Sequence, residues 1–389
     1  MKFADRVENV SPSLTLKINS KAKLLMSEGK NIINMSAGEP DLDTPEIVKT
    51  KAKIAIDSGY TKYTTVSGIK PLKQAVAKRY EKKFGVDIPI NSILVSSGAK
   101  HSIFNIVQTL CNPEDEVIIP SPYWVSYPEI VKLALAKPVF IDTSTTDYIL
   151  SPDAFDAAIT DKTKLLILNS PNNPTGVIYP ESVKSEISKI VNKKGIYCIS
   201  DEIYDELIYT DTEHRTMLDS PINRIIAING VSKTFSMTGW RIGYTIASKE
   251  IIERATKLQA HSTSCASSIS QYAALSALEE GAQFPKDMRR EFDKRRKMVV
   301  ELLTKIDGLT FPKPEGAFYV FFNVSKFYNA KIRNSVEMAE YLLDEYQIAL
   351  VPGSAFGDDK SLRLSYTLPL KSLTEGIKRL SNGILNVRR

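Results

Sequence analysis

Lys233 stands in the segment GVSKTFSMTGWRIGY, between an apolar run and a loop of small residues, and Arg241 follows eight positions later on a glycine-flanked turn. A loop lysine left in water is a solvated charge. A lysine desolvated beside other cations is pushed below its free value of about 10.4, and it can then act as an imine-forming nucleophile. Asp201 and Tyr204 lie in SDEIYDEL, directly after the apolar run IYCI. An acid at such a strand end caps a helix or, if buried, becomes a partner for a cation. SSGAK at 96–100 opens a helical pattern, so the amides of Gly98 and Ala99 could receive an anion at the positive helix end, or the small residues could serve tight packing. Arg363, in LRLSYT, is either an exposed strand arginine or a two-pronged partner for a carboxylate.

The alternatives to this chemistry are poorly supplied. His101, His214 and His261 are the only histidines, and Cys111, Cys198 and Cys265 lack any CxxC spacing, so a metal cluster or a Ser-His-Asp triad is not expected. Buried free thiols are the favoured reading of the cysteines. The net charge of +6 is spread among acids, and the cluster Lys294-Arg295-Arg296-Lys297 reads as a solvated helix face rather than a nucleic-acid footprint. The opening MKFADRVENVSPSL lacks the apolar core of a signal peptide, and no apolar run approaches a membrane-spanning length. A cytoplasmic protein without nucleic-acid or membrane partners is expected.

The elements that would position these residues follow from the apolar pattern. With 389 residues, 43% hydrophobic and 25% charged, the chain is long enough for two or three domains of ordinary globular composition. From about 90 to 250, short β-branched runs alternate with helical patterns: ILV at 93, VII at 117, VFI at 139, KLLILN at 164, IYCI at 196, IIAI at 225 and IGYTIA at 242. That alternation predicts a mostly parallel α/β sheet. The chemical residues fall just after these runs, where open α/β sheets bind ligands. Beyond 250, a long helix at 286–306 and the runs AFYVFFNV, IALVPG and LRLSYT predict a smaller α+β domain. The boundaries expected are 46–285 for the large domain, with 1–45 and 286–389 forming the small one.

The lysine segment closely resembles the lysine motif of class I aminotransferases, in the fold-type I pyridoxal-phosphate superfamily. NSPNNPTG, SDEIYDEL and SSGAK match that family in order and spacing, and the resemblance spans nearly the whole chain. It implies an α/β fold with a seven-stranded, mostly parallel sheet. It also implies a pyridoxal 5'-phosphate cofactor, amino acid and 2-oxo acid substrates, and a homodimer with shared active sites. Lys233 would carry the cofactor and move a proton between substrate Cα and cofactor C4′. Asp201 would keep the pyridine nitrogen protonated. Asn173 and Tyr204 would bond the phenolic oxygen, and Trp124 would stack on the ring. Gly98, Ala99, Ser232 and Arg241 would hold the phosphate, with Tyr63 reaching it from a neighbouring subunit. Arg363 and the loop at Gly38 would hold the α-carboxylate.

SAGEPD, SPYWVSYPE, NSPNNPTG and MTGWRIGY together are similar to the bacterial aspartate aminotransferase subgroup. In that subgroup a lysine at the position of Lys100 contacts the distal carboxylate, aided by hydroxyls corresponding to Ser13 and Thr15. The alternative role for Lys100 is to line the phosphate loop only. Aspartate with 2-oxoglutarate is therefore the expected pair, with prephenate as a second acceptor. Val231-Ser232 before the lysine departs from the two small residues of many relatives, which touches phosphate contacts. A carbon-sulfur lyase would use the same Lys233, Asp201 and Arg241. A regulator would need a DNA-binding module, for which no segment before Gly38 is expected.

Overall fold

Successive residues of the apolar runs are buried on alternate sides, and that arrangement builds the centre of the molecule. Leu165 and Ile167 pack with Val117, Ile119, Ile199, Ile226 and Ile228 on one side. Leu166 and Leu168 pack with Ile118, Cys198, Ile225 and Ala227 on the other. A strand apolar at every position belongs to a sheet covered on both faces. The computed structural model describes residues 3–211, 214–218 and 224–387.

In chain order the strands are β1 (Ile33–Asn34), β2 (Ile93–Ser96), β3 (Glu116–Ser121), β4 (Lys137–Asp142), β5 (Thr163–Asn169) and β6 (Tyr197–Asp201). They continue as β7 (Ile225–Gly230), β8 (Gly243–Ile246), β9 (Tyr319–Asn323), β10 (Ile348–Ala349), β11 (Val351–Pro352) and β12 (Ser361–Ser365). The seven runs predicted between 90 and 250 are β2 to β8, and they form one sheet in the order β2-β8-β7-β6-β5-β3-β4. Neighbours are parallel except at β8, which runs antiparallel to both β2 and β7. Helices Ala99–Leu110 and Lys249–Ala260 cover one face through Ile103, Ile106, Ile251 and Ile252. Helices Lys70–Phe84 and Glu181–Lys194 cover the other through Val76, Tyr80, Ile187 and Val191.

A second, antiparallel sheet has the order β11-β12-β9. Helices Gln283–Thr304, Ser335–Tyr346 and Leu370–Val387 pack on it around Phe292, Val299, Phe318, Leu342, Leu362 and Ile377. The N-terminal segment joins this half: β1 pairs with β10, and Ile18 and Ala22 of helix Leu14–Ser27 meet Leu343 and Ala349.

One expectation needs correction. The basic cluster at 294–297 is not wholly a solvated face, because Arg295 and Arg296 are 5% and 9% exposed. Arg295 binds Asp41 at 2.8 Å and Glu291 at 2.9 Å, and Arg296 binds Asp293 at 2.7 Å. Their guanidinium groups lie 5.3 Å from the Phe292 and Tyr209 ring centres. Buried charges persist when paired this way, so these cations are internal ties. Cys111 and Cys198 are buried free thiols, and Cys265 is half-buried. Among the described residues, no helix is long and apolar enough to cross a membrane.

Candidate active site

Asn169 and Asp201 end adjacent strands directly opposite each other, and a cavity of about 470 Å³ opens above this edge of the large sheet. The same cavity is closed from the second sheet by Tyr319 and Arg363 and from the N-terminal segment by Ser13, Thr15 and Gly38. Lys100, Lys233, Arg241 and Arg363 face Glu39 and Asp201 within it, so the described lining is net positive and suited to a ligand with several negative charges.

Lys233 follows the end of β7, and its Nζ donates to the Gly38 carbonyl at 2.7 Å. Burial lowers its pKa to about 8, helped by Arg363 and Arg241 and opposed by Glu39 and Asp201. A substantial uncharged fraction near neutrality gives it the nucleophilicity that the solvated reading of a loop lysine lacks.

Asp201 is 4% exposed at the end of β6. Its Oδ2 accepts from the Tyr127 hydroxyl at 2.7 Å and its Oδ1 from the Ile203 amide at 3.2 Å. Burial raises its pKa to about 6, with both hydrogen bonds pulling the other way. Asp201 therefore caps no helix, but presents a desolvated carboxylate to the cavity. Asn169 Nδ2 donates to the Asp201 carbonyl at 2.9 Å, and Asn169 Oδ1 accepts from the Asn173 amide at 2.8 Å. The turn carrying Asn173 is thus pinned to the strand carrying Asp201.

Arg363 on β12 reaches across to the large sheet. Its Nη1 donates to Asn173 Oδ1 at 3.0 Å and its Nη2 to the Ser36 carbonyl at 2.9 Å. It is 3% exposed, and its guanidinium lies 4.4 Å from the Tyr319 ring centre and 4.9 Å from that of Phe356. Its Nε is buried with no partner among the described residues, a donor that awaits an acceptor. Tyr204 lines the cavity and meets the Tyr319 hydroxyl at 3.0 Å.

Gly98 caps helix Ala99–Leu110 with φ 90° and no capping side chain. A Cβ there would collide with the Arg241 guanidinium, and one at Gly243 would strike the Gly98–Ala99 backbone. The open helix end and Arg241 consequently meet at one corner of the cavity, whose wall Ser232 also lines. Lys100 Nζ sits 5.0 Å from the Trp124 ring centre, its pKa lowered by burial and then by Arg241. Ser13 Oγ and Thr15 Oγ1 lie 2.7 Å apart at the rim, and Ser13 also caps helix Leu14–Ser27. Tyr63 stands outside this cavity, 90% exposed.

Among the lining residues not singled out from the sequence, Tyr127, Asn169, Glu39 and Tyr319 bear most on the chemistry. Tyr127 lies one helical turn beyond Trp124, and Tyr319 shares a strand face with Phe321, which is opposite Arg363. Those spacings were the available signals.

Residues 30–380 match the family described as aminotransferase class I and II, and the chain belongs to that family. Its relatives are more particular. It is 41% identical to an aspartate aminotransferase of Bacillus subtilis, with 98% of each chain covered. It is 40% identical to a bifunctional aspartate aminotransferase and glutamate/aspartate-prephenate aminotransferase of Petunia hybrida, covering 100% of this chain and 84% of that one. The structure of aspartate aminotransferase from Thermus thermophilus with maleate superposes with a TM-score of 0.94 at 37% identity, covering 98% of this chain and 100% of that one. The fold is accordingly fold-type I, and the chain is an aminotransferase of the class that uses pyridoxal phosphate.

Proposed function

We propose that this aminotransferase moves the amino group of aspartate to 2-oxoglutarate, in two half-reactions through one site, with pyridoxal 5'-phosphate held at Lys233. The observation that carries the reading is the depressed pKa of about 8 at Lys233 in a cavity that also holds Asp201 and Arg363. The residues fit the cofactor. The helix end at Gly98 and Ala99, with Ser232 and Arg241, suits a phosphate, since a side chain at Gly98 would fill that corner. Asp201 suits a protonated ring nitrogen, Trp124 a stacked ring face, and Asn173 with Tyr204 a phenolic oxygen.

When bound, pyridoxal phosphate supplies an electron sink for the charge that develops at substrate Cα. Arg363 grips the α-carboxylate, with its unpartnered Nε available for the purpose. Lys233 would hold the cofactor and, once displaced by the substrate, would take and return the proton at substrate Cα. Its bond to the Gly38 carbonyl ties it to the loop beside the same carboxylate. Lys100, with Ser13 and Thr15 at the rim, binds the distal carboxylate. Residues 46–285 form the larger functional unit and 1–45 with 286–389 the smaller. Two copies share their sites, the exposed Tyr63 reaching the phosphate of a second copy.

Prephenate, which also carries two carboxylates, is a second reading supported by the Petunia hybrida relative. The test is the absorption spectrum of the purified protein before and after aspartate alone, with phenylalanine and alanine in parallel. Stoichiometric bleaching with oxaloacetate release, fastest for aspartate, is expected. No conversion with any of the three overturns the reading and directs attention to lyase substrates.

A further inference from the structure

Tyr319 touches three parts of the site at once. Its hydroxyl is 3.0 Å from that of Tyr204, its ring lies under the Arg363 guanidinium at 4.4 Å, and a Cβ on Gly38 would come within 3.2 Å of its Oη. It is 1% exposed on β9, diagonal to Arg363 on the same sheet face.

A phenol has one hydrogen to give and two lone pairs to accept with. If Tyr204 spent its hydrogen on Tyr319, it could offer only acceptor capacity to a negatively charged oxygen in the cavity. The reverse direction leaves the Tyr204 hydrogen free. We propose that Tyr319 is a positioning residue whose hydroxyl donates to Tyr204, so that Tyr204 donates onward to the cofactor's phenolic oxygen. This inference rests on the cofactor reading above.

Acidity favours that direction. Burial pushes both hydroxyls upward, Tyr204 further, and the Arg363 cation draws both back down, but it is the Tyr319 ring that the guanidinium lies against, at 4.4 Å. The more acidic phenol is the better donor, and hydrogen bonds in such a chain polarise one another. The charged groups facing this pair are Arg363 on β12, Asp201 on β6 and Glu39 in the N-terminal loop. None is altered by Tyr319→Phe.

The consequence is electronic. A donor on the phenolic oxygen withdraws negative charge from it and loosens its hold on the proton of the adjacent Lys233 nitrogen. A weaker donor leaves that proton bound to higher pH. The experiment is a pH titration of visible absorption in the cofactor-loaded enzyme for wild type, Tyr319→Phe, Tyr204→Phe and the double variant. Tyr319→Phe should raise the midpoint by about half a unit to one unit, the size of one neutral hydrogen bond. In the Tyr204→Phe background it should add nothing, because the chain is already cut. The KM for aspartate should stay within about twofold, since the ring beneath Arg363 remains.

A midpoint unmoved by Tyr319→Phe, or moved equally in both backgrounds, overturns the relay while leaving the cofactor reading intact. A wild-type protein that acquires no visible band with pyridoxal phosphate overturns the cofactor reading itself.

Discussion

Tyr127 gives its hydroxyl hydrogen to Asp201 Oδ2 at 2.7 Å from a helix that begins just beyond Trp124. The same short segment thus brings an aromatic face and a carboxylate clamp to the cavity. Removing the donor in Tyr127→Phe should lower kcat/KM for aspartate by about tenfold or more, since hydrogen bonds to charged groups contribute roughly 1.5–3 kcal/mol. Steady-state kinetics check this, and an unchanged value removes Tyr127 from the mechanism.

Asp201 also sets a pH dependence of stability. Its folded pKa of about 6 lies above the ordinary carboxylate value, so the folded cofactor-free chain holds that proton more tightly than the unfolded chain does. The contribution of Asp201 is fully present in acid and is lost as pH rises from about 4 to about 6. The difference in melting temperature between cofactor-free wild type and Asp201→Asn should therefore move against the wild type across that window. Parallel profiles would contradict the burial argument.

Lys233, with its pKa of about 8, should make cofactor capture pH-dependent. The rate at which cofactor-free protein acquires its visible band should climb as pH rises through that value, and Lys233→Ala should acquire none. A climb seen only near the free-lysine value of about 10.4 would show that the side chain is solvated during capture.

Arg363→Ala should reduce kcat/KM for aspartate about 10- to 100-fold, because it removes a carboxylate partner and leaves Asn173 Oδ1 and the Ser36 carbonyl without their donor. Unchanged kinetics on aspartate would sink that role.

Lys100→Ala separates two readings of one side chain. A contact to the distal carboxylate predicts a loss for aspartate and little change for phenylalanine, whereas a purely phosphate-side role predicts equal losses. Parallel kcat/KM measurements on the two amino acids decide between them.

Much of this arrangement was legible because local chemistry and position agree. The seven central strands announced themselves as short β-branched runs, and Asp201 and Lys233 stood at their ends. Tyr319 was hidden by the reverse circumstance, since it sits among apolar neighbours that predict a core aromatic, and Tyr127 by lying beside the more conspicuous Trp124. Only the third dimension reveals that their hydroxyls meet Asp201 and Tyr204. Arg295 and Arg296 failed differently: adjacency to Lys294 and Lys297 suggested a common solvated face, while Asp41, distant in sequence, supplies a counter-ion to the buried Arg295.

The reversed direction of β8 has a bearing on how this site could be redesigned. Because that strand returns beside β7, one connection can begin and end on the same rim, with Lys233 near its start and Arg241 near its finish. A following parallel strand would begin at the opposite rim, and the two cations could meet only by way of a far longer crossover. Length changes between 231 and 242 should therefore disturb covalent attachment and anion retention together, making this hairpin-like connection the least divisible part of the enzyme.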